Sequence, residues 1–447
     1  MADNNSTRER ILSLLSAWNQ EKHTVLSKTH RRYVNQVATL ISQGKNAHLR
    51  GPRGVGKSLV IKDFISSVGM AKRVVRIDMD HPGSAMISVG LIEEFINDFN
   101  DKNGPVACVA VDEARFDDSG SLYSFAKKNN ILLVTSRSSA HGHGIFFEQN
   151  AQIIDVFQES FGEYVVLSTG KSVDMSKMRE HIDGYILGTS ENKSYYQEDK
   201  SINIFRASID DIINNSEIRN AKLLTDISVY LASSPLIEVS ANGMKSHFSC
   251  SIDLSRAFLS HIERSGLISL VRRVEDMERP AQAKRICIPS DVRICRALGA
   301  KVDLQQAAIV AVFRELRALV GRVYMKKTQA GLSMCSPKIN KPTGPVPNVF
   351  VFVSYPYRFD DVSSEIGRFS KKEKPKSVTV LSADDESEDI WQGDFEIRVR
   401  PLWSWMAFPD DCGISTDIKV DRAEDGMVKK KDIKSPPEAG SIPSHLL

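Results

Sequence analysis

Short, unbroken apolar runs recur between residues 46 and 157, each closed by a polar or glycine-containing segment. "NAHLR", "KRVVRIDMD" with its centre at Val74 to Ile77, "PVACVAVDEARF" with Val106 to Val111, "NNILLVTSRSS" with Ile131 to Thr135, and "NAQIIDVF" each read as a strand. Runs without polar alternation suit strands covered on both faces, as in a parallel sheet flanked by helices. Between them the rhythm changes: "KSLVIKDFISSVG" has the spacing of an amphipathic helix. The expected fold class is therefore α/β, with a parallel sheet in residues 46–168 after an N-terminal helical segment, 1–45. Further on, "SIDDIINNSEIRNAKLLTDISVYLASS" repeats apolar residues at three- and four-residue intervals, which predicts a helical lid over 169–240.

The stretch from Ser251 to Gly299 predicts a helix over Leu254 to Ser265, a Gly266 C-cap and two strands joined by a polar hairpin, the grammar of a winged helix within 241–300. After Leu304 come a long helix, "DLQQAAIVAVFRELRALVG", and the strands "GRVYMKKT" and "NVFVFVSYPYR", a small α/β domain over 301–419. An acidic stretch, "SADDESEDIWQGDFEIRVRPLWSWM", lies inside that domain. The tail, 420–447, is lysine-rich and then rich in proline and serine, and is expected to be disordered or to order only on contact with a partner.

At 447 residues the chain exceeds one ordinary core and predicts several domains. No apolar run approaches the roughly 18 residues of a membrane span, so no membrane partner is expected. The start, "MADNNSTRERILSLL", lacks the parts of a signal peptide. Six cysteines (Cys108, Cys250, Cys287, Cys295, Cys335, Cys412) show no C-x-x-C spacing, which points to a reducing cytoplasm and no zinc site. A net charge of +3 leaves any basic, nucleic-acid-binding surface to be local.

One motif changes the picture. Gly51, Gly56, Lys57 and Ser58 fit G-x-x-x-x-G-K-[ST], with Pro52, Arg53, Gly54 and Val55 filling the loop and Leu59 following it. Glycines at these positions let backbone N–H groups turn inward on phosphate oxygens at the positive end of a helix. Lys57 is the expected cation for the β and γ phosphates, and Ser58 an expected Mg²⁺ ligand. Asp112 and Glu113, at the end of the Val106 strand, are the expected second set: Asp112 to hold Mg²⁺ through a water, Glu113 to orient or polarise the attacking water. Thr135 or Ser136, closing the next strand, is the candidate sensor of the γ-phosphate or the lytic water. ATP and Mg²⁺ are thus the expected ligands.

A second set of residues suggests a partner. Arg256, Arg264, Arg272, Arg273, Lys284, Arg285, Arg293 and Arg296 spread over the expected winged helix and could neutralise phosphates of a nucleic acid. The competing expectation is a protein-packing domain whose arginines pair with Glu263, Glu275 and Asp276.

The order "GPRGVGKS", "VDEARF", "ILLVTSRSS", "QIIDVFQESFGEYV", "HIDGYILGTSEN" and then the winged helix resembles a prokaryotic group over residues 30 to 355. In that group an AAA-type ATPase precedes a winged helix and a C-terminal domain with a PD-(D/E)XK nuclease-like core. The resemblance implies that Lys57, Ser58 and Asp112 are nucleotide and Mg²⁺ residues and that Glu113 is the hydrolytic carboxylate. Two departures qualify it. The group carries an arginine before the fifth strand, placed to complete a neighbour's site, whereas "GIFFEQNAQ" has none; Arg137 and Arg115 are the nearby substitutes. A nuclease site needs an acid on the first helix, an Asp on one strand and E-x-K on the next. Glu315 fits the helix, but "GLSMCSPK" and "FVFVSYPYR" lack the rest, so the domain is expected to be a degenerate scaffold. Read by itself, Glu315 is a helix-surface carboxylate pairing with Arg314, Arg317 or a neighbouring chain.

The expectation is an oligomerising ATPase that acts on a nucleic acid or nucleoprotein complex. The alternative is a STAND-like switch or an assembly scaffold whose C-terminal region meets a protein partner.

Overall fold

The computed structural model describes residues 2–20, 30–67, 73–114, 116–138, 150–169, 175–189, 198–216, 218–274, 284–320, 322–328, 331–338, 346–375, 377–392 and 395–408. The chain divides into two compact units, one formed by residues 1–158 and the other by 159–431. The lysine-rich tail and Arg115 lie outside the described residues.

In the first unit, β1 (Ala47–Arg50), β2 (Val74–Asp78), β3 (Cys108–Asp112), β4 (Leu132–Arg137) and β5 (Gln152–Asp155) form one parallel sheet in the order β2-β3-β4-β1-β5. β3 is buried at every position. Side chains alternate between faces along a strand, and this sorts the apolar run onto two cores. Cys108 and Ala110 join Val60, Ile61 and Phe64 of α3 (Lys57–Ser67) and Val37 of α2 (Arg31–Ser42). Val109 and Val111 join Ile92 and Ile96 of α4 (Val89–Asn103), Leu122 of α5 (Phe116–Lys128) and Leu15 of α1 (Ala2–Gln20). β3 begins at Cys108, two positions inside the expected run, and β4 continues past Thr135 to Arg137.

Strand β2 forms one rim of the sheet, and α1 closes it. The Asn19 carboxamide donates to Arg76 O at 3.0 Å and accepts from Arg76 N at 2.8 Å, as a neighbouring strand would. An uncovered edge strand presents unpaired peptide groups, and here a single side chain meets one such pair.

The second unit opens with α6 (Phe161–Thr169) and α7 (Ile182–Leu187), whose Phe161, Tyr164, Tyr185 and Ile186 share a core with α13 (Leu304–Val320) and Trp405. Helix α8 (Glu198–Asn215) follows. Next come α9 (Ala221–Ala232), β6 (Glu238–Val239), α10 (Ala241–Phe248), α11 (Ile252–Arg264), β7 (Ile268–Arg272), β8 (Arg285–Pro289) and α12 (Val292–Ala297). The three strands make an antiparallel sheet in the order β6-β8-β7. Ser251 Oγ accepts Leu254 N–H, an N-cap that starts α11 two residues before the expected Leu254. Gly266, at φ +80°, turns the chain out of α11 into β7. The segment joining β7 to β8, residues 275–283, lies outside the described residues.

The remaining elements are β9 (Tyr324–Thr328), β10 (Gly331–Lys338), β11 (Val346–Val353), α14 (Phe359–Glu373), β12 (Ser377–Ser382), β13 (Glu388–Gln392), β14 (Phe395–Pro401) and α15 (Leu402–Ala407). Their six strands form a mixed sheet in the order β13-β14-β12-β11-β10-β9. Phe350, Phe352, Val378 and Val380 face Phe369 of α14, while Val351, Val353 and Leu381 belong to the core of α13 and α15. The acidic stretch is ordered structure in this sheet. Asp384 Oδ2 accepts Phe359 N–H at 2.8 Å at the start of α14, and Asp385 pairs with Arg179 and Arg358. A carboxylate at a helix N-terminus meets unpaired N–H groups and the positive end of the dipole.

Candidate functional site

The phosphate-loop sequence joins β1 to α3 through a turn that needs its glycines. Gly54 and Gly56 have φ of +79° and +96°, where a Cβ is strained. A Cβ on Gly51 would stand 2.3 Å from Val156 O, and one on Gly56 would stand 2.0 Å from His30 Nε2. Val55 is the loop's anchor, buried in the core of α2 and α3. Arg53 forks onto Asp80 at 3.0 and 3.1 Å, while Ser58 and Leu59 are exposed on the first turn of α3. Pro52 contributes its carbonyl to Lys57.

Lys57 is only 4% exposed. Its Nζ donates to Gly51 O at 3.0 Å, Pro52 O at 2.9 Å and Ser138 Oγ at 2.9 Å, and stands 3.5 Å from Glu113 Oε1. Burial pulls its pKa below the usual lysine value, against the opposing pull of Glu113 and Asp112.

Asp112 is buried at the end of β3. Its carboxylate accepts the Ser136 hydroxyl at 2.5 Å and is hydrogen-bonded to Ser58. Burial pushes its pKa up, and the bonds from Ser136 and Ser58 oppose that rise. Glu113 follows at φ +51°, a left-handed conformation uncommon outside glycine. Its N–H donates to Ser136 Oγ at 3.1 Å, and its carboxylate accepts Ser138 N–H at 2.9 Å and the Ser138 hydroxyl.

Strand alternation decides the fate of the candidates on β4. Ser136 and, just beyond the strand, Ser138 turn toward Asp112, Glu113 and Lys57. Thr135 and Arg137 turn the other way. Thr135 Oγ1 lies 2.8 Å from His48 Nδ1 with both residues buried, and Arg137 Nη1 donates to Ala114 O at 3.3 Å. His48 is driven down to a pKa of about 3, chiefly by burial and then by Arg50, Arg137 and Lys57. The site thus gathers Gly51, Lys57, Ser58, Asp112, Glu113 and Ser136, and adds Ser138, which the sequence analysis did not name. The period of two along "TSRSS" is the signal that points to it.

The donors fit Mg²⁺ in kind: a hydroxyl and a carboxylate are hard oxygen ligands, and such a site takes few protein ligands beside waters and phosphates. No group of three or more His, Cys, Asp or Glu among the described residues could hold a metal by itself.

In the three-stranded domain most of the basic residues are engaged. Arg273 and Lys284 meet Glu238 at 3.4 and 3.3 Å, and Arg285 meets Glu263 at 3.2 Å. Arg293 holds Asp291 at 2.7 Å and Glu159 at 3.2 Å, and Arg296 donates to Leu187 O. Arg256, though within 3.3 Å of Asp253, is exposed, as are Arg264 and Arg272.

Glu315 is not the surface carboxylate expected from its helix. It is 6% exposed, and its Oε1 lies 3.3 Å from the Tyr185 hydroxyl. Arg314 stacks over the Tyr185 ring at 5.5 Å and donates to that hydroxyl at 2.9 Å, and burial pushes the Tyr185 pKa up. Arg317 turns away to Ser269 Oγ at 2.5 Å.

No family model and no curated protein matches the chain. Among solved structures, the replication initiator DnaA bound to AMPPCP and single-stranded DNA is similar to part of it, at 11% identity and a TM-score of 0.27, covering 54% of this chain and 91% of that one. The RuvB Holliday junction branch migration motor of Thermotoga maritima is similar at 12% identity and a TM-score of 0.29, covering 62% and 96%. Drosophila ORC bound to AT-rich DNA is similar at 14% identity and a TM-score of 0.23, covering 66% and 94%. At these identities and scores the likenesses carry no functional weight, which rests instead on the geometry above.

Proposed function

We propose that the chain is an AAA-type ATPase whose nucleotide state controls its assembly on, or action upon, a nucleic acid or nucleoprotein complex. The observation that carries this is the convergence of Lys57, Ser58, Asp112 and Glu113 on one loop at the end of a parallel sheet. Lys57 supplies the cation for the β and γ phosphates; Ser58 and Asp112 would hold Mg²⁺, which neutralises charge between phosphate oxygens. Glu113 orients the attacking water and takes its proton. The α10-to-α12 region acts as a winged helix, with Arg256, Arg264 and Arg272 offered to phosphates. Helices α7 to α9 belong to the lid, the chain works as a homo-oligomer in the cytoplasm, and the C-terminal sheet is a nuclease-like scaffold without nuclease chemistry.

The test is nucleotide titration and turnover. Lys57→Ala is expected to abolish ATP binding, while Glu113→Gln keeps ATP and loses hydrolysis. Unchanged affinity in Lys57→Ala would overturn the proposal.

A second function, a STAND-like switch with a protein partner, draws support from one observation. Glu238 and Glu263 already engage Arg273, Lys284 and Arg285, as a protein-packing domain would arrange them.

A further inference from the structure

An ammonium carries three N–H donors, and Lys57 Nζ spends them on Gly51 O at 3.0 Å, Pro52 O at 2.9 Å and Ser138 Oγ at 2.9 Å, with Glu113 Oε1 farther off at 3.5 Å. A phosphate oxygen can therefore take a full bond from Lys57 only by exchange with one of them. The two carbonyls belong to the loop that carries Lys57. Ser138 comes from a different part of the sheet, one residue past β4, and it alone is also bonded to Glu113. A hydroxyl has one proton. Ser138 gives that proton to Glu113 Oε1, so its lone pair is what Lys57 engages. A second bond, from Ser138 N to Glu113 Oε2 at 2.9 Å, clamps the same carboxylate. Glu113 is meanwhile held at φ +51°, and such backbone strain of about 1–3 kcal/mol persists only where neighbours over-determine it.

We propose, on the ATPase function above, that Ser138 is a coupling residue: it competes with the γ-phosphate for Lys57, and its two bonds to Glu113 keep that carboxylate placed for water once the phosphate has taken Lys57. Ser138 acts here through Lys57 and Glu113, without touching substrate. A residue that instead bonded the phosphate directly would have the opposite effect on affinity, which makes the two roles separable.

The experiment compares wild type, Ser138→Ala and Ser138→Thr for binding of a non-hydrolysable ATP analogue with Mg²⁺, and for ATP turnover. Losing one net hydrogen bond's worth of competition on Lys57, Ser138→Ala is expected to bind the analogue about three- to tenfold more tightly. It is also expected to turn over more slowly, with KM and kcat falling together. Ser138→Thr, which keeps the hydroxyl, is expected to restore both. Weaker or unchanged binding in Ser138→Ala overturns the coupling role, as does a Thr variant as altered as the Ala one. If Ser138→Ala does not fold, Ser138→Cys, which keeps the volume and weakens the bonding, takes its place with the same expected signs. Failure of the wild type to bind the analogue, or binding indifferent to Lys57→Ala, overturns the nucleotide site itself and the coupling with it. Altered Ser138 behaviour beside intact Lys57 dependence concerns the coupling alone.

Discussion

The Ser136 hydroxyl stands between two carboxylate residues, donating to Asp112 Oδ1 at 2.5 Å and accepting the Glu113 N–H at 3.1 Å. It is one of the two hydroxyls that bond Asp112, a residue whose burial disfavours its charge. A carboxylate with a raised folded pKa stabilises the fold fully below its unfolded value of about 3.9, and loses that contribution as pH rises through the folded value. Asp112→Asn is thus expected to raise stability in neutral denaturant melts and to lose the advantage below about pH 4. It is expected to weaken Mg²⁺-dependent ATP binding at the same time. An equal effect on stability at both pH values would show that the charge is not what burial opposes.

His48 gives the opposite sign. Its folded pKa, about 3, lies below its ordinary value of 6.5, so the unfolded chain binds the proton more readily. Its contribution is full above about pH 6.5 and falls away toward pH 3. Across that window wild type should lose on the order of a few kcal/mol that His48→Gln, still able to bond Thr135, does not lose. Parallel acid-denaturation curves would remove His48 from the account.

Salt dependence separates the two proposed functions. If Arg256, Arg264 and Arg272 contact phosphates, replacing all three by Ala should flatten the slope of log Kd against log salt for DNA by roughly one unit per lost contact. Arg273→Ala, which breaks its pair with Glu238, should alter stability and leave the slope almost unchanged. A wild-type affinity without salt dependence would favour the protein-partner switch.

Glu315→Ala would remove the carboxylate beside the Tyr185 hydroxyl and a negative charge that favours the buried Arg314 cation, a loss of about 1–3 kcal/mol in unfolding experiments. No effect is expected on linear, circular or single-stranded DNA incubated with Mg²⁺ or Mn²⁺, which should stay intact with either protein. Nicking that vanishes in Glu315→Ala and survives in Lys57→Ala would make the C-terminal domain an enzyme.

The parallel sheet was legible because its signals are local. Val109 and Val111 alternate with Cys108 and Ala110 in a run that could be nothing polar on either side, and glycine at 54 and 56 answers a backbone demand that no other residue meets cheaply. Ser138 escaped notice because its role depends on a loop more than 80 residues earlier in the chain, reached only once β1 and β4 pair Leu49 with Ser136. The acidic stretch depends on distant partners too: Asp384 meets a helix terminus, and the alternation in "FEIRVRP" is that of a strand. Glu315 shows the same limit: helical spacing gives a face, and only the arrival of Tyr185 from α7 decides that the face is covered.

The carboxamide of Asn19 on the rim of β2 has a practical side. A shortened version of the chain that starts after residue 20 would leave the Arg76 peptide groups without that partner. Concentrated samples of such a version could then join rim to rim, by strand pairing that the full chain's first helix prevents. Any particle counted in those samples would report the missing helix and not an assembly that the protein itself forms. Sizing experiments on this protein should therefore keep the first helix, or replace Arg76's neighbours with charges that spoil the rim.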